Sequence, residues 1–246
     1  MIALFTDFGL EGPYLGQVEA VLHHRAPGVA VVNLMADLAP FAVEPAAYLL
    51  PAFTDPLPDG TVVLAVVDPG VGTDRPGVVV RTERFWFVGP GNGLFDVVCS
   101  RARKLRVWRL PDAEAGVSAS FHGRDVFAPV AARIACGSEP EGEPVGIDPV
   151  RLAAVEPDYA AVAYIDRYGN AMTGMRAASL PSGAVVEVAG RRLRRARTFG
   201  SVAVGQPFWY ENSSGLVEIA VREGSAARML GLRVGRPVRV IGDGPG

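Results

Sequence analysis

The feature that most constrains this chain is the alternation with which it opens. Short apolar runs at residues 2–5, 29–34 and 61–67 are separated by helix-like stretches at 13–24 and 44–53. Each run is largely apolar and too short for a helix, and the third, TVVLAVV, is rich in β-branched residues and bounded by turn signals, which predicts buried strands. Strand, helix, strand, helix, strand implies crossover connections, and so a parallel sheet with helices on both faces. Ligands of such sheets bind beyond the carboxyl ends of the strands. The run TVVLAVV ends there in Asp68, and the following PGVGTDR contains two glycines and a proline. A tight loop is predicted, holding a carboxylate at Asp68 and a guanidinium at Arg75 near its ends. Asp7, at the end of the first strand in TDFG, is the second candidate site acid. Asp-Pro-Gly is also ordinary turn material, and Asp7 also suits a helix cap.

Residues 77–81 and 85–88 predict a hairpin that delivers GPGNG at 89–93. Its glycines let the backbone approach a ligand or fold back tightly, although their spacing does not fit a dinucleotide fingerprint. SFHGRD at 120–125 then precedes an apolar helix at 126–136, with Pro129 in the first turn where proline is tolerated. His122 stands at that loop-to-helix entry and is a candidate catalytic group, whereas His23 and His24 close a helix and read as structural. Residues 137–157 carry four prolines and several acids without periodicity, so a linker is expected at 138–158. It divides an α/β catalytic domain at 1–137, Rossmann-like and three-layered, from a small all-β domain at 159–246. Strand candidates at 160–165, 184–188, 191–197, 202–204, 216–220 and 238–241 point to an antiparallel barrel or sandwich. Within it, DRYGN at 166–170 and YENSSG at 210–215 set aromatic residues beside hydrogen-bonding ones, which suits a heterocycle that is stacked and edge-bonded.

Composition narrows the chemistry. Lys104 is the only lysine, so no P-loop exists and a Schiff base would have to use a residue in an arginine-rich strand entry. A net charge of −2 gives no global pull toward nucleic acid or an anionic membrane. The run RRLRRAR at 191–197 reads as the exposed faces of an edge hairpin. No apolar run approaches a membrane span, and IALF follows the first methionine without a basic leader, so a soluble cytoplasmic protein is expected. Cys99 and Cys136 lie in apolar surroundings and are expected to be buried thiols. Without HxxxH, HExxH or CxxC, no metal site is expected.

Taken in order, TDFG at 6–9, DPGVGTDR at 68–75, GPGNGL at 89–94, FHGRD at 121–125 and DRYGN at 166–170 resemble the motifs of the adenosine-forming S-adenosyl-L-methionine (SAM) hydrolases. These are also called SAM hydroxide adenosyltransferases and are related to the SAM-dependent fluorinase and chlorinase. The resemblance implies an α/β domain followed by a β barrel, with SAM as substrate and no further cofactor. It implies that Asp68, Arg75 and His122 hold and activate the attacking water, that Asp7 grips the ribose hydroxyls, and that Asp166 receives the methionine ammonium. Asn170 would meet the adenine edge, Ser213 and Ser214 the methionine, and Tyr168, Trp209 and Phe208 are candidates for stacking on the base. It also implies a homotrimer whose sites are shared between subunits. The halogenases lack this histidine and arginine, which favours water over halide as the nucleophile. Two positions depart from the family pattern: Gly91 stands where an acid is usual, and Gly174 where an asparagine is usual.

Overall fold

The computed structural model describes residues 1–112 and 116–241. The chain divides into two units, Met1–Val155 and Glu156–Gly246; the last five residues of the expected second domain lie outside the described residues.

In the first unit the apolar runs form β1 (Ile2–Thr6), β2 (Val31–Met35) and β3 (Val62–Val66), joined by α1 (Tyr14–Arg25) and α2 (Val43–Thr54). β1 and β3 are buried along their whole length. β1 lies between β2 and β3 and runs parallel to both. Side chains alternate across a strand, so Ile2 and Leu4 pack with Val18 and Leu22 of α1. Phe5 faces the other way and meets Phe53 of α2, with ring centroids 6.4 Å apart. The expected helices on both faces of the sheet follow from that alternation.

Beyond β3 the sheet becomes mixed, so the domain is not built on the wholly parallel sheet expected, although the hairpin itself is as expected. The chain makes the hairpin β4 (Gly77–Arg81) and β5 (Trp86–Pro90), and then β6 (Arg106–Arg109). β5 runs parallel to β3, while β4 pairs antiparallel with both β5 and β6. The cause is the turn at Thr82, whose backbone N–H donates to the Phe85 carbonyl at 2.9 Å. So short a connection can join only antiparallel strands.

The segment expected to be a linker also belongs to this unit. Its strand β7 (Glu143–Val145) pairs antiparallel with β6, completing a seven-stranded mixed sheet in the order β2-β1-β3-β5-β4-β6-β7. Its helix α5 (Pro149–Ala153) is capped by Asp148, whose carboxylate accepts from the Val150 N–H at 2.9 Å. Arg151 of α5 forks onto Asp96 in α3 (Asp96–Arg101) at 2.9–3.0 Å. Cys99 is buried on α3, but Cys136 is exposed, contrary to expectation, because it caps the carboxyl end of the helix α4 (Ala128–Ala135).

The second unit contains two antiparallel sheets. Strands β8 (Tyr159–Ile165), β9 (Ala171–Arg176), β12 (Pro207–Glu211) and β13 (Leu216–Val221) form one, in the order β12-β13-β9-β8. The other is β11-β10-β14, from β10 (Val185–Val188), β11 (Arg191–Leu193) and β14 (Arg239–Ile241). Isolated bridges at Ala161–Pro237 and Arg195–Trp209 connect the edges of the two sheets. A shared core holds Val162, Val186, Val188, Trp209, Val217 and Ile219. Residues 202–204 are not a strand. The arginine run is tied down as an edge should be: Arg195 pairs with Glu211 at 2.8 Å and lies over the Trp209 ring at 5.3 Å. No helix among the described residues is long and apolar enough to cross a membrane.

Candidate active site

The register of β1 against β3 sets Thr6 opposite Val66, so Asp7 and Asp68 leave neighbouring parallel strands at the same end of the sheet. After Asp68 the loop turns twice within seven residues. The Val71 N–H donates to the Asp68 carbonyl at 3.3 Å and the Thr73 hydroxyl to the Gly70 carbonyl at 2.7 Å. This curl returns Arg75 onto Asp68: Nε donates to Oδ1 at 2.8 Å and a terminal nitrogen donates to Oδ2. That bidentate fork matches an ionised carboxylate. Both side chains are nearly out of solvent, 11% exposed for Arg75 and 6% for Asp68.

Gly72 sets this loop against the segment that carries His122. Its φ is +80°, and a Cβ there would lie 2.8 Å from the Ala119 carbonyl oxygen. His122 immediately precedes one π-helical turn, Gly123–Phe127, which runs into α4. Insertions of this kind cluster at functional sites. The remaining charges of the FHGRD motif brace the turn. Arg124 forks onto Asp125 at 2.6 and 2.8 Å and reaches Gln17 of α1 at 2.6 Å, while Asp125 accepts from the Ser118 N–H at 3.2 Å. His122 thereby comes within 3.1 Å of the same Arg75 nitrogen, through Nδ1. A guanidinium has no acceptor, so Nδ1 accepts and the ring carries its proton on Nε2. Burial, reinforced by the Arg75 charge, holds the imidazole pKa below its ordinary value, which favours that neutral form.

Asp7, Asp68 and His122 line one cavity of about 260 Å³ together with Phe8, Tyr14, Phe41 and Phe121. Phe8, Tyr14 and Phe121 form a cluster of tilted and edge-on rings with centroids 5.4–6.5 Å apart. Phe41 has φ +65°, a costly conformation for a residue with a Cβ. It is held by its N–H donating to Asp7 Oδ2 at 3.0 Å. These four aromatics were not among the sequence candidates. The signal available was their placement beside the predicted strand ends, in TDFG, GPY, APF and SFH.

Burial pushes the Asp7 carboxyl above its ordinary pKa; the Phe41 N–H opposes this and the Asp68 charge adds to it. A carboxyl that is easier to protonate folded than unfolded contributes stability below its unfolded pKa, and this is lost as pH rises through its folded value. Asp7→Asn, which keeps an acceptor for Phe41, is therefore expected to raise the thermal midpoint at pH 7, with the gain shrinking as the pH approaches about 4. A lower midpoint at neutral pH would mean that the carboxylate is net stabilising there.

In the second unit, Asp166, Tyr168, Asn170 and Ser213 line a cavity of about 860 Å³. DRYGN is the turn between β8 and β9. Asp166 Oδ1 accepts the N–H groups of Tyr168 and Asn170, and Oδ2 accepts the Asn170 side-chain amide, each at 2.9 Å. Gly169 supplies the left-handed corner at φ +85°. Tyr168 is 79% exposed and presents its ring freely. Ser214 does not line the cavity; its N–H donates to Asn212 Oδ1 at 2.9 Å. Trp209 and Phe208, expected as candidates for stacking on a base, do not present open rings. They are 0% and 1% exposed, and the Trp209 indole donates to the Ala184 carbonyl at 3.1 Å, so both rings are core. Glu218, Tyr210 and Asn212 also line this cavity and were not singled out from the sequence.

The glycine-rich segment serves packing. Gly89 lets β5 press against β3, and Asn92 holds the turn by donating to the Val67 carbonyl at 2.9 Å. At Gly91 a Cβ would sit 3.0–3.2 Å from Val78 and Pro76, so this position is tight against any side chain. Gly174 is a buried residue of β9. Among the described residues no group of three or more His, Cys, Asp or Glu is placed to hold a metal ion.

The first unit brings a carboxylate, a guanidinium and an imidazole together beside its strand ends, and the second, built on two antiparallel sheets, has a cavity into which polar side chains reach; each unit thus has the makings of a small-molecule site. Residues 2–143 match the model of the SAM hydroxide adenosyltransferase N-terminal domain, and residues 160–239 that of its C-terminal domain. The chain belongs to the SAM hydroxide adenosyltransferase family. It is 45% identical to the (R)-S-adenosyl-L-methionine hydrolase of Thermus thermophilus, over 98% of this chain and 99% of that one. It is 34% identical to the hydrolase of the same name from Salinispora tropica, over 97% of each. An uncharacterized conserved protein from Thermotoga maritima superposes with a TM-score of 0.84 at 28% identity, covering 98% of this chain and all of that one.

Proposed function

We propose that this chain hydrolyses SAM to adenosine and methionine by in-line attack of water at the ribose C5′, with the thioether leaving and one proton released. The observation that carries the reading is Arg75, which grips both oxygens of Asp68 and reaches His122 Nδ1 with one guanidinium. In the proposed step the imidazole Nε2–H donates to the water oxygen and Asp68 accepts the departing proton. His122 thus orients the nucleophile, and the base is Asp68. The sulfonium is already a good leaving group, so the work is positioning water opposite the sulfur and excluding bulk solvent. As negative oxygen meets positive sulfur the charges cancel, and a dry cavity favours that transition state over separated ions.

Asp7 takes the ribose hydroxyls, since two acceptor oxygens meet a cis diol. Asp166 keeps acceptor capacity for the methionine ammonium, Asn170 meets the adenine edge, Ser213 and Ser214 present the methionine-binding turn, and Tyr168 is the open stacking ring. The family resemblance supports a homotrimer in which neighbouring subunits share sites. The two edge bridges in the second unit support reading its sheets as a closed barrel.

The test is turnover in water enriched in heavy oxygen, with SAM of each sulfur configuration, analysed by mass spectrometry. The label is expected in adenosine, alongside unlabelled methionine. Unchanged SAM in a sample shown to bind it would favour a binding protein without turnover, and a halogenated nucleoside formed only with added halide would make the nucleophile a halide.

A further inference from the structure

The strand LVEIAV is buried at all six positions, yet its third residue is an acid. Val217, Ile219 and Val221 face the core of the second unit. Alternation turns Glu218 to the opposite face, where it lines the cavity with Asp166, Asn170 and Ser213. Glu218 is only 2% exposed. Both of its oxygens are used: the Tyr210 hydroxyl donates to Oε1 at 2.6 Å and the Asn212 side-chain N–H to Oε2 at 2.8 Å.

The second bond decides which way Asn212 faces. With its nitrogen turned to Glu218, Asn212 Oδ1 accepts the Ser214 N–H at 2.9 Å and the Leu216 N–H at 3.0 Å. The backbone closes the same turn, with the Gly215 N–H on the Asn212 carbonyl at 3.0 Å and the Asn212 N–H on the Leu216 carbonyl at 2.9 Å. Burying a carboxylate in an apolar strand is costly. A carboxylate offers two acceptors to two donors, which neither an amide nor an apolar side chain does.

We propose that Glu218 is a positioning residue for SAM. Acting through Asn212, it holds the 212–215 turn in the shape that presents Ser213 to the cavity, and so sets substrate affinity while leaving the chemical step alone. This rests on the reading of the chain as a SAM hydrolase.

Asn212→Asp tests it with little change of volume, whereas Glu218→Gln alone can keep both bonds by donating to the Tyr210 hydroxyl oxygen. The new carboxylate still accepts the Ser214 and Leu216 N–H groups through one oxygen but turns the other, an acceptor, onto Glu218 Oε2, so the bond that fixes the side chain is replaced by repulsion. KM for SAM is expected to rise about tenfold with kcat within about twofold. The Ser214 and Leu216 amides should also exchange hydrogen faster in the ligand-free protein. The double variant Glu218→Gln/Asn212→Asp restores every donor–acceptor pair, because glutamine donates to an aspartate that still accepts both backbone N–H groups. It is expected to recover both KM and protection.

An unchanged KM in Asn212→Asp, or a folded double variant that recovers neither readout, overturns the proposal. Should Asn212→Asp not fold, Asn212→Ser breaks the same link by shortening the side chain; the same rise in KM supports the proposal and an unchanged KM overturns it. If the wild-type protein leaves SAM unchanged, the hydrolase reading fails and the affinity claim falls with it. The exchange measurement on ligand-free protein then still decides whether Glu218 sets the turn.

Discussion

Asp68→Asn is expected to lower kcat for SAM hydrolysis by roughly a hundredfold to ten-thousandfold, the range typical of a lost general base. The substitution keeps the volume and removes the charge. It also turns one of the two acceptors under the Arg75 fork into a donor, so a guanidinium nitrogen now faces an amide nitrogen. Arg75 then loses one leg of its hold, and with it the geometry that places it 3.1 Å from His122 Nδ1. SAM affinity should change only a few-fold, because the groups assigned to the ribose and the methionine are elsewhere. The informative comparison is therefore kcat from single-turnover kinetics against Kd from calorimetry. Turnover within a factor of about ten of wild type would remove Asp68 from the base role, while a large loss of affinity with intact kcat would make it a binding residue.

Much of the first unit was legible because burial on both faces leaves a strong mark: β1 and β3 are unbroken apolar runs, and they place Asp7 and Asp68 at their ends. The mixed sheet was less legible. The 77–88 hairpin was visible, but what its antiparallel pairing does to the rest of the sheet depends on which strand lands beside β3, a long-range choice with no local signature. β7 is three exposed residues and carries no alternation. Asp148-Pro149 did announce a helix, with a cap and a proline at the first position, inside a stretch whose proline content suggested a linker.

In the site, Asp68 and Arg75 share one loop and were readable together. His122 lies 47 residues beyond Arg75; its loop-to-helix entry marked it as a candidate, but nothing local pairs the two, and only the ordered motifs joined it to Asp68 and Arg75. The aromatics divided by secondary structure. Tyr168 sits in a polar turn and is exposed, while Trp209 and Phe208 sit in β12, which was not recognised as a strand and which buries both. Glu218 could have been noticed, since an acid within six otherwise apolar residues demands partners.

The largest effect on stability is expected from Gly89→Ala, and the reason is backbone contact. A Cβ at Gly89 overlaps the Ala65 carbonyl oxygen of β3 and comes within 3.0 Å of the Phe95 ring. Neither neighbour yields easily: Ala65 is fully buried in the sheet, and Phe95 packs on Phe87 at 5.8 Å between centroids. Overpacking of this kind costs about 1–3 kcal/mol where side chains can shift, and a clash with a carbonyl oxygen lies at or above the upper end. For a unit of this size about 3 kcal/mol corresponds to a fall of roughly 6–12 °C in the thermal midpoint. Gly16→Ala in α1 is the matched control: nothing lies within 4 Å of its added Cβ, and replacing a helical glycine there should stabilise by about 0.5–1 kcal/mol. The same chemical change thus carries opposite signs at two positions of one unit. Tryptophan fluorescence can follow it, with Trp86 and Trp108 in the first unit and Trp209 in the second. Gly89→Ala should bring forward the transition reported by the first pair, and a midpoint equal to that of Gly16→Ala would mean that β5 can withdraw from β3 at no cost.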